Sequence, residues 1–176
     1  SFLQCMYIME IKPSDEISVL KKLPIFKGLS DSELLFIAPI LKAVTFKSGE
    51  PVIHEGDKGD TLFIIKNGSV DVFKTTAAGK EVDLGVLPAG SFFGELSLFD
   101  DHPRSATVRT VEQTDFLTIS RDDLYRALKG KNDIENMLYR NTILETFSRF
   151  RNVVSNFTFS QHHLSSRDEI INEINR

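Results

Sequence analysis

An antiparallel β-roll with helices on both sides is the fold class this sequence predicts, and three observations predict it. Between residues 43 and 119, short apolar or alternating runs are cut by turn residues about every 8–12 positions, the pattern of a sandwich or roll rather than of βαβ units. Before and after that region, apolar residues recur at spacings of three and four, the helical period. The composition, 41% hydrophobic and 26% charged over 176 residues, is that of a globular domain with an appendage. Aromatic and branched residues run throughout, so the chain has the means to bury a core.

Residues 1–13 read as a tail or cloning remnant, or as the cut edge of a longer protein, because no initiating Met is present. Their apolar start is too short for a signal peptide and lacks its basic flank. Residues 14–42 form an N-terminal helical unit. Over 14–23, Ile17, Leu20 and Leu23 share a face, with Ser14 or Asp15 as cap. Pro24 and Gly28 break that helix. Ser30-Asp31-Ser32-Glu33 is a capping box and opens a second helix that carries Leu34, Leu35, Ile37, Ala38 and Leu41.

The β-roll follows over 43–119. Strand-like runs at 44–47, 52–55, 62–65, 70–73 and 82–87 end at Ser48-Gly49, Gly56-Asp57-Lys58-Gly59-Asp60, Asn67-Gly68, Ala78-Gly79-Lys80 and Pro88-Ala89-Gly90. Phe92-Phe93, 107–110 and 115–119 complete eight strands, which suggests an eight-stranded antiparallel jelly roll (a double-stranded β-helix). Residues 120–158 are helical again. Ser120 caps a helix with Leu124, Tyr125 and Leu128, stopped at Gly130. A longer helix spans 132–157. In it Ile143, Phe147, Phe150, Val154 and Phe157 are spaced 4, 3, 4, 3, a heptad seam over two repeats. That stripe reads either as packed on its own roll or as a homodimer helix. Residues 159–176 end in a short capped helix over 166–175.

The net charge of -4 and sequence pI near 5.6 argue against direct nucleic-acid contact by this fragment, since such surfaces cluster Lys and Arg. The one cysteine, Cys5, cannot form an internal disulfide, so a reducing, cytoplasmic setting is expected. No apolar run approaches the ~20 residues of a membrane span.

The chemistry concentrates in the stretch from Phe92 to Val108. Gly94 allows a positive φ or a close backbone approach. The amides after it can converge on an anion. Glu95, ionised, only accepts hydrogen bonds, so it suits a sugar hydroxyl and repels phosphate. Arg104 offers a planar fork for phosphate oxygens, Ser105 adds a hydroxyl and an amide, and Pro103 stiffens the turn. On residue chemistry alone, a ligand cradle and a surface loop with an internal salt bridge both remain open.

Two motifs go further. Phe93-Gly94-Glu95-Leu96-Ser97-Leu98 followed by Pro103-Arg104-Ser105-Ala106-Thr107-Val108 resembles the phosphate-binding cassette of the cyclic nucleotide-binding domain family, found in catabolite activator-like and protein kinase regulatory subunit-like sensors. Upstream, Glu55-Gly56-Asp57, Gly59-Asp60, Leu62-Phe63-Ile64-Ile65 and Asn67-Gly68-Ser69-Val70 resemble that family's glycine-rich strand–turn segment. The likeness covers about residues 20–157. It implies that Glu95 takes the ribose 2′-hydroxyl and Arg104 the cyclic phosphate. Amides near Ser97, Ser105 and Ala106 would complete the cradle, with Gly94, Leu96 and Phe93 as the rest of the cassette. Val72, Leu84 and Leu87 are candidates for the base, and Phe147, Arg149 and Phe150 on the following helix are further base candidates. The implied ligand is cAMP or cGMP. Ser105 is compatible with either, and no cofactor or metal is implied.

Such a domain senses rather than catalyses: ligand binding would draw the cassette inward and repack the helices of 120–157 over the roll. An enzyme on a similar roll is the first rival. It would need a metal or nucleophile set, yet His54, His102, His162 and His163 lack ligand spacing across two strands. The second rival is a ligand-free dimerisation or docking module, and the intact Glu95 and Arg104 stand against it.

Overall fold

The computed structural model describes residues 13–98 and 101–151. The chain runs through α1 (Pro13–Leu20), a 3-10 turn (Pro24–Phe26), α2 (Asp31–Leu34), a second 3-10 turn (Ala38–Ile40), β1 (Lys42–Phe46), β2 (Pro51–Ile53), β3 (Thr61–Asn67), β4 (Ser69–Thr75), β5 (Glu81–Pro88) and β6 (Phe92–Phe93). A 3-10 turn (Leu96–Leu98), β7 (Thr107–Thr110), β8 (Thr114–Ser120), α3 (Arg121–Leu128) and α4 (132–151) follow. The fold is mainly β, with two antiparallel four-stranded sheets in the orders β1-β8-β3-β6 and β2-β7-β4-β5. The expected jelly roll is therefore present. Val154, Phe157, Cys5 and the helix expected over 166–175 lie outside the described residues.

Strand alternation divides the first sheet between two cores. Leu62, Ile64, Phe92, Leu117 and Ile119 face the helices, where they meet Leu20, Leu23, Phe26, Leu34, Ile37, Leu124, Leu128, Ile134 and Leu138. Ile65, Phe93 and Phe116 face the inside of the roll, where Val70 and Val108 of the second sheet meet them. Inside the roll, Phe63 and Phe93 stack with centroids 5.2 Å apart, and Phe116 presents an edge to Phe46, Phe63 and Phe93. Such offset and edge contacts add to the burial of the rings themselves.

The helical caps follow the sequence, but the length of α2 does not. Ser30 N–H donates to Glu33 Oε2 at 2.7 Å, and Glu33 N–H donates back to Ser30 Oγ at 3.3 Å, closing the capping box. Yet α2 stops at Leu34, and Ile37 leads into a 3-10 turn that contains Pro39. Proline has no N–H and clashes with the preceding turn, so a continuous helix is unavailable here. Leu34, Ile37 and Ala38 are buried, whereas Leu35 and Phe36 are exposed. The first helix begins at Pro13, so Ser14 and Asp15 lie within it, and Leu23 is buried in the turn beyond its end. At the other side Ser120 Oγ accepts from Asp123 N–H at 3.1 Å and caps α3, whose Tyr125 is exposed. α4 is tied to the N-terminal turns by Asn141, whose amide donates to the carbonyls of Ile25 at 3.0 Å and Lys27 at 2.8 Å.

The β4–β5 ladder carries a bulge. Val72 faces Gly85 and Phe73 faces Asp83, so Leu84 is the extra residue. Gly85 takes φ +119 and donates its N–H to Asp83 Oδ1 at 2.7 Å, which explains why glycine stands there.

At the far end of the first sheet Asp115 joins three strands. Its carboxylate accepts from Thr45 Oγ1 at 2.7 Å and from Asn67 Nδ2 at 3.1 Å. These bonds, Thr45 foremost, hold its carboxyl below the usual range. The stability this adds is present above the unfolded-state value of about 3.9 and is lost as pH falls through the lower folded value. Urea unfolding at a series of pH values below about 5 should therefore show a shallower acid loss for Asp115→Asn than for the unmodified chain; equal slopes would rule out this linkage.

Candidate functional site

The cassette starts where β6 runs out. Gly94 turns the chain at φ +78 into the 3-10 turn at Leu96–Leu98. A Cβ at Gly94 would stand 2.6 Å from Arg104 Nη1 and 2.8 Å from the Thr61 carbonyl oxygen, so both the conformation and the space demand glycine. Ser97 lies in that 3-10 turn.

Arg104 is 7% exposed. Its Nη2 donates to the Thr61 carbonyl at 2.9 Å and its Nη1 to the Gly94 carbonyl at 3.4 Å. The backbone fixes its position as well: Arg104 N–H donates to Asp57 O at 2.8 Å, and Gly56 N–H donates to Arg104 O at 2.9 Å. The guanidinium lies against Gly59, where a Cβ would overlap it. Burial pulls its pKa down, while Asp60 and then Glu95 push it back up. An arginine remains cationic through such a shift. A positive group is thus held under cover by backbone dipoles and nearby carboxylates.

Glu95 is equally buried, at 7%. Its Oε1 accepts from Arg149 Nη1 at 3.3 Å. Arg149 reaches it from α4 and is fixed by three further contacts. Its Nη2 donates to the Phe92 carbonyl at 2.9 Å, its Nε to Glu145 Oε1 at 3.2 Å, and its guanidinium lies 4.6 Å above the Phe92 ring. The surface side of the cassette is held too. Asp101 pairs with Arg121 at the start of α3, and Arg121 N–H donates to Asp60 O at 2.7 Å.

The fold therefore brings Gly94, Glu95 and Arg104 together. Ser105 is exposed beside Arg104, and Ala106 is half-buried at the entry to β7. Phe93 is buried inside the roll, and Val72 and Leu87 pack half-buried against the same core. Leu84, on the bulge, is 52% exposed. Phe147 and Phe150 are exposed on α4, and Leu96 of the cassette shares a groove with Phe147. Arg149 is the candidate whose surroundings differ most from the sequence reading, since its contacts are with the cassette and β6. Sequence reasoning missed Thr61, whose contribution is a carbonyl and so carries no residue-type signal. It also missed the pairing of Asp101 with Arg121. Gly59 stood in the glycine-rich motif, but its role as the wall behind Arg104 appears only in three dimensions.

A β-roll that buries a glutamate and an arginine in the connection between β6 and β7 defines the class of fold. The match to known proteins agrees: the cyclic nucleotide-binding domain profile fits residues 43–131, and this chain belongs to that family. The "Cyclic AMP receptor protein" of Thermus thermophilus is 36% identical over 109 residues, 62% of this chain and 50% of that protein. A "cGMP-dependent protein kinase" of Eimeria tenella is 35% identical over 124 residues, 70% of this chain and 12% of that protein. A solved cyclic nucleotide-binding domain from Methylobacillus flagellatus superposes with a TM-score of 0.70 at 27% identity, covering 80% of this chain and 79% of that one. The chain thus spans half or less of the length of these two curated relatives.

The close approach at Gly94 is directly testable. Gly94→Ala should destabilise the domain by about 1–3 kcal/mol in urea unfolding, from a strained φ and a clash with the Thr61 carbonyl. Gly79→Ala shares a positive φ of +77 but has open space around it, so it should cost clearly less. Equal losses would remove the packing component.

Proposed function

We propose that the domain binds a purine cyclic nucleotide, cAMP or cGMP, and transmits binding through its C-terminal helices. The observation that carries this reading is the covered guanidinium of Arg104 next to the covered carboxylate of Glu95, on a turn whose glycine cannot be replaced without a clash. Burying a cation and an anion is costly even where carbonyls and Arg149 partner them, and a ligand with complementary groups would reward both. In this reading Arg104 grips the cyclic phosphate. Glu95 accepts the ribose 2′-hydroxyl, and amides near Ser97, Ser105 and Ala106 line the cradle. Val72, Leu84 and Leu87 offer the base an apolar floor. Phe147 and Phe150 are available to stack on a purine if the helix closes.

Relatives named for cAMP and for cGMP stand at similar identity, so selectivity stays between the two. No bond is broken. The domain acts by binding one conformation better than another, and moving an equilibrium from 1:99 to 99:1 takes about 5.5 kcal/mol of differential binding. In this reading 43–119 is the ligand-binding roll, 120–158 the lid and dimer segment, and 14–42 the supporting helices, in a cytoplasmic protein. Among the described residues no helix is long and apolar enough to cross a membrane.

Calorimetry of Arg104→Ala should show cyclic nucleotide affinity reduced by at least ~2 kcal/mol, ~30-fold, because a charged contact is lost in a covered site. Undiminished affinity would sink the cassette assignment. Thermal unfolding should first identify the ligand among cAMP, cGMP and cyclic dinucleotides, with about 2.7 kcal/mol of added stability at ~100 times the dissociation constant.

The reading extends to a homodimer through the seam of Ile143, Phe147, Phe150, Val154 and Phe157. Its support is the exposure of Ile143, Phe147 and Phe150, each between 54% and 62%, where an unpaired apolar stripe favours association. Light scattering should give a dimeric mass that Phe147→Glu converts to monomer. A monomer at high concentration, with and without ligand, contradicts this.

A further inference from the structure

Among the described residues, two buried side-chain hydroxyls lack a hydrogen-bond partner, those of Thr142 and Thr146, and they share one wall. That wall belongs to a groove of about 530 Å³ between Leu96 of the cassette turn and α4, where Tyr139, Ile143 and Phe147 complete the lining. Thr142 is only 3% exposed. Four residues apart on a helix, the two threonines stand one above the other on the same face. The hydroxyl of Tyr139 is engaged elsewhere, with Tyr125 and Glu135. Among the described residues no charged side chain lines the groove. Valine has the shape of threonine without its hydroxyl, so it would suit a wall of Leu, Ile and Phe with no polar group to desolvate. Threonine nevertheless stands there twice. Orphaned buried hydroxyls are rare in native proteins, and each one asks for a partner.

We propose that this groove is a second ligand site, distinct from the charged cradle, and that it takes a small neutral amphiphile: an aliphatic body carrying one hydroxyl or carbonyl group. The aliphatic body answers Leu96, Ile143 and Phe147, which are 44%, 54% and 56% exposed, so that covering them removes apolar area from water. The volume falls within the roughly 300–1,000 Å³ of small-molecule sites, and an apolar lining with a few placed polar groups is their usual composition. Neutrality follows from the lining. A carboxylate or phosphate would leave water and find no cation here. A threonine hydroxyl both donates and accepts, so a ligand hydroxyl can meet it in either sense, and a ligand carbonyl can accept from it. Water is a poor substitute, because a buried water needs about two to four polar partners and the wall around the threonines is apolar. Rotation about χ1 exchanges a threonine's methyl and hydroxyl between staggered positions, so the hydroxyl can reach a ligand without any movement of the helix. The site uses neither Arg104 nor Glu95, and it stands independently of the cyclic nucleotide reading.

The probes are 1-octanol and octanoate, titrated into the protein while NMR follows the methyl signals of Leu96, Thr142, Ile143 and Thr146. 1-Octanol should shift all four together and bind at least ~10-fold more tightly than octanoate, which brings a charge with no partner. Thr142→Val and Thr146→Val each keep the shape of the wall. Binding of 1-octanol should weaken ~3–10-fold in at least one of them, the size of one neutral hydrogen bond. In urea unfolding without a probe, both variants should be as stable as the unmodified chain or more so, since each removes an unanswered hydroxyl. Three results overturn the proposal: no shift at these methyls up to the solubility of 1-octanol, undiminished 1-octanol affinity in both variants, or clear destabilisation by both, which would mean that the hydroxyls already have partners. So does a 1-octanol affinity that falls as the protein concentration rises, because a second copy of the chain would then be the occupant.

Discussion

The first sheet has no solvent side, and the rest of the structure depends on that constraint. Leu62, Ile64, Phe92, Leu117 and Ile119 face the helices, while Ile65, Phe93 and Phe116 face the roll. Each large apolar side chain so buried contributes on the order of 1.5–3 kcal/mol, and alternation forbids moving one set without the other. Helices and roll therefore share a wall. The shared wall ends at Phe92-Phe93, and the next residues are Gly94 and Glu95. The cassette hangs from an edge strand that belongs to both cores, where a displacement on one side is felt on the other.

The two covered charges are stabilised in different ways, and the difference has a mechanical meaning. Arg104 rests on backbone: two carbonyls accept its fork, two main-chain bonds fix its Cα, and Gly59 and Gly94 leave it room. Backbone of a packed turn does not rearrange cheaply, so this end of the site is preorganised. Glu95 rests on a side chain from another element, Arg149 of α4. Its environment changes whenever that helix moves. One end of the site is thus constant, and the other is conditional on the helix.

Much of this was legible in the residues. Glycine-containing turns marked the ends of β1 to β6, because each turn needs a residue that tolerates a positive φ or breaks the ladder, while β7 and β8 were marked by their apolar runs alone. Capping residues marked the starts of α2 and α3, because their hydrogen bonds are local. The early end of α2 was harder to see: the apolar spacing continues through Leu41, and Pro39 outweighs it only because of backbone sterics. The cassette was readable as a motif since Gly94, Glu95, Arg104 and Ser105 lie within a dozen positions. Arg149 and Glu95 are far apart in the chain, and Thr61 acts through a carbonyl that every residue possesses. Contacts of those two kinds are set by packing, which no local pattern encodes.

The bulge at Leu84 has a consequence for life in a crowded solution. β5 borders its sheet with eight residues, and Val82, Leu84 and Val86 are all exposed on it. A straight border of that length and hydropathy would be a template for the strands of other molecules. The inserted residue puts the free amides and carbonyls out of step with any regular partner, and Asp83 has already claimed the Gly85 N–H. Glu81 and Asp83 add like charge along the same border. A kink in one hairpin thereby leaves room for an apolar surface beside the roll without inviting sheets to join edge to edge.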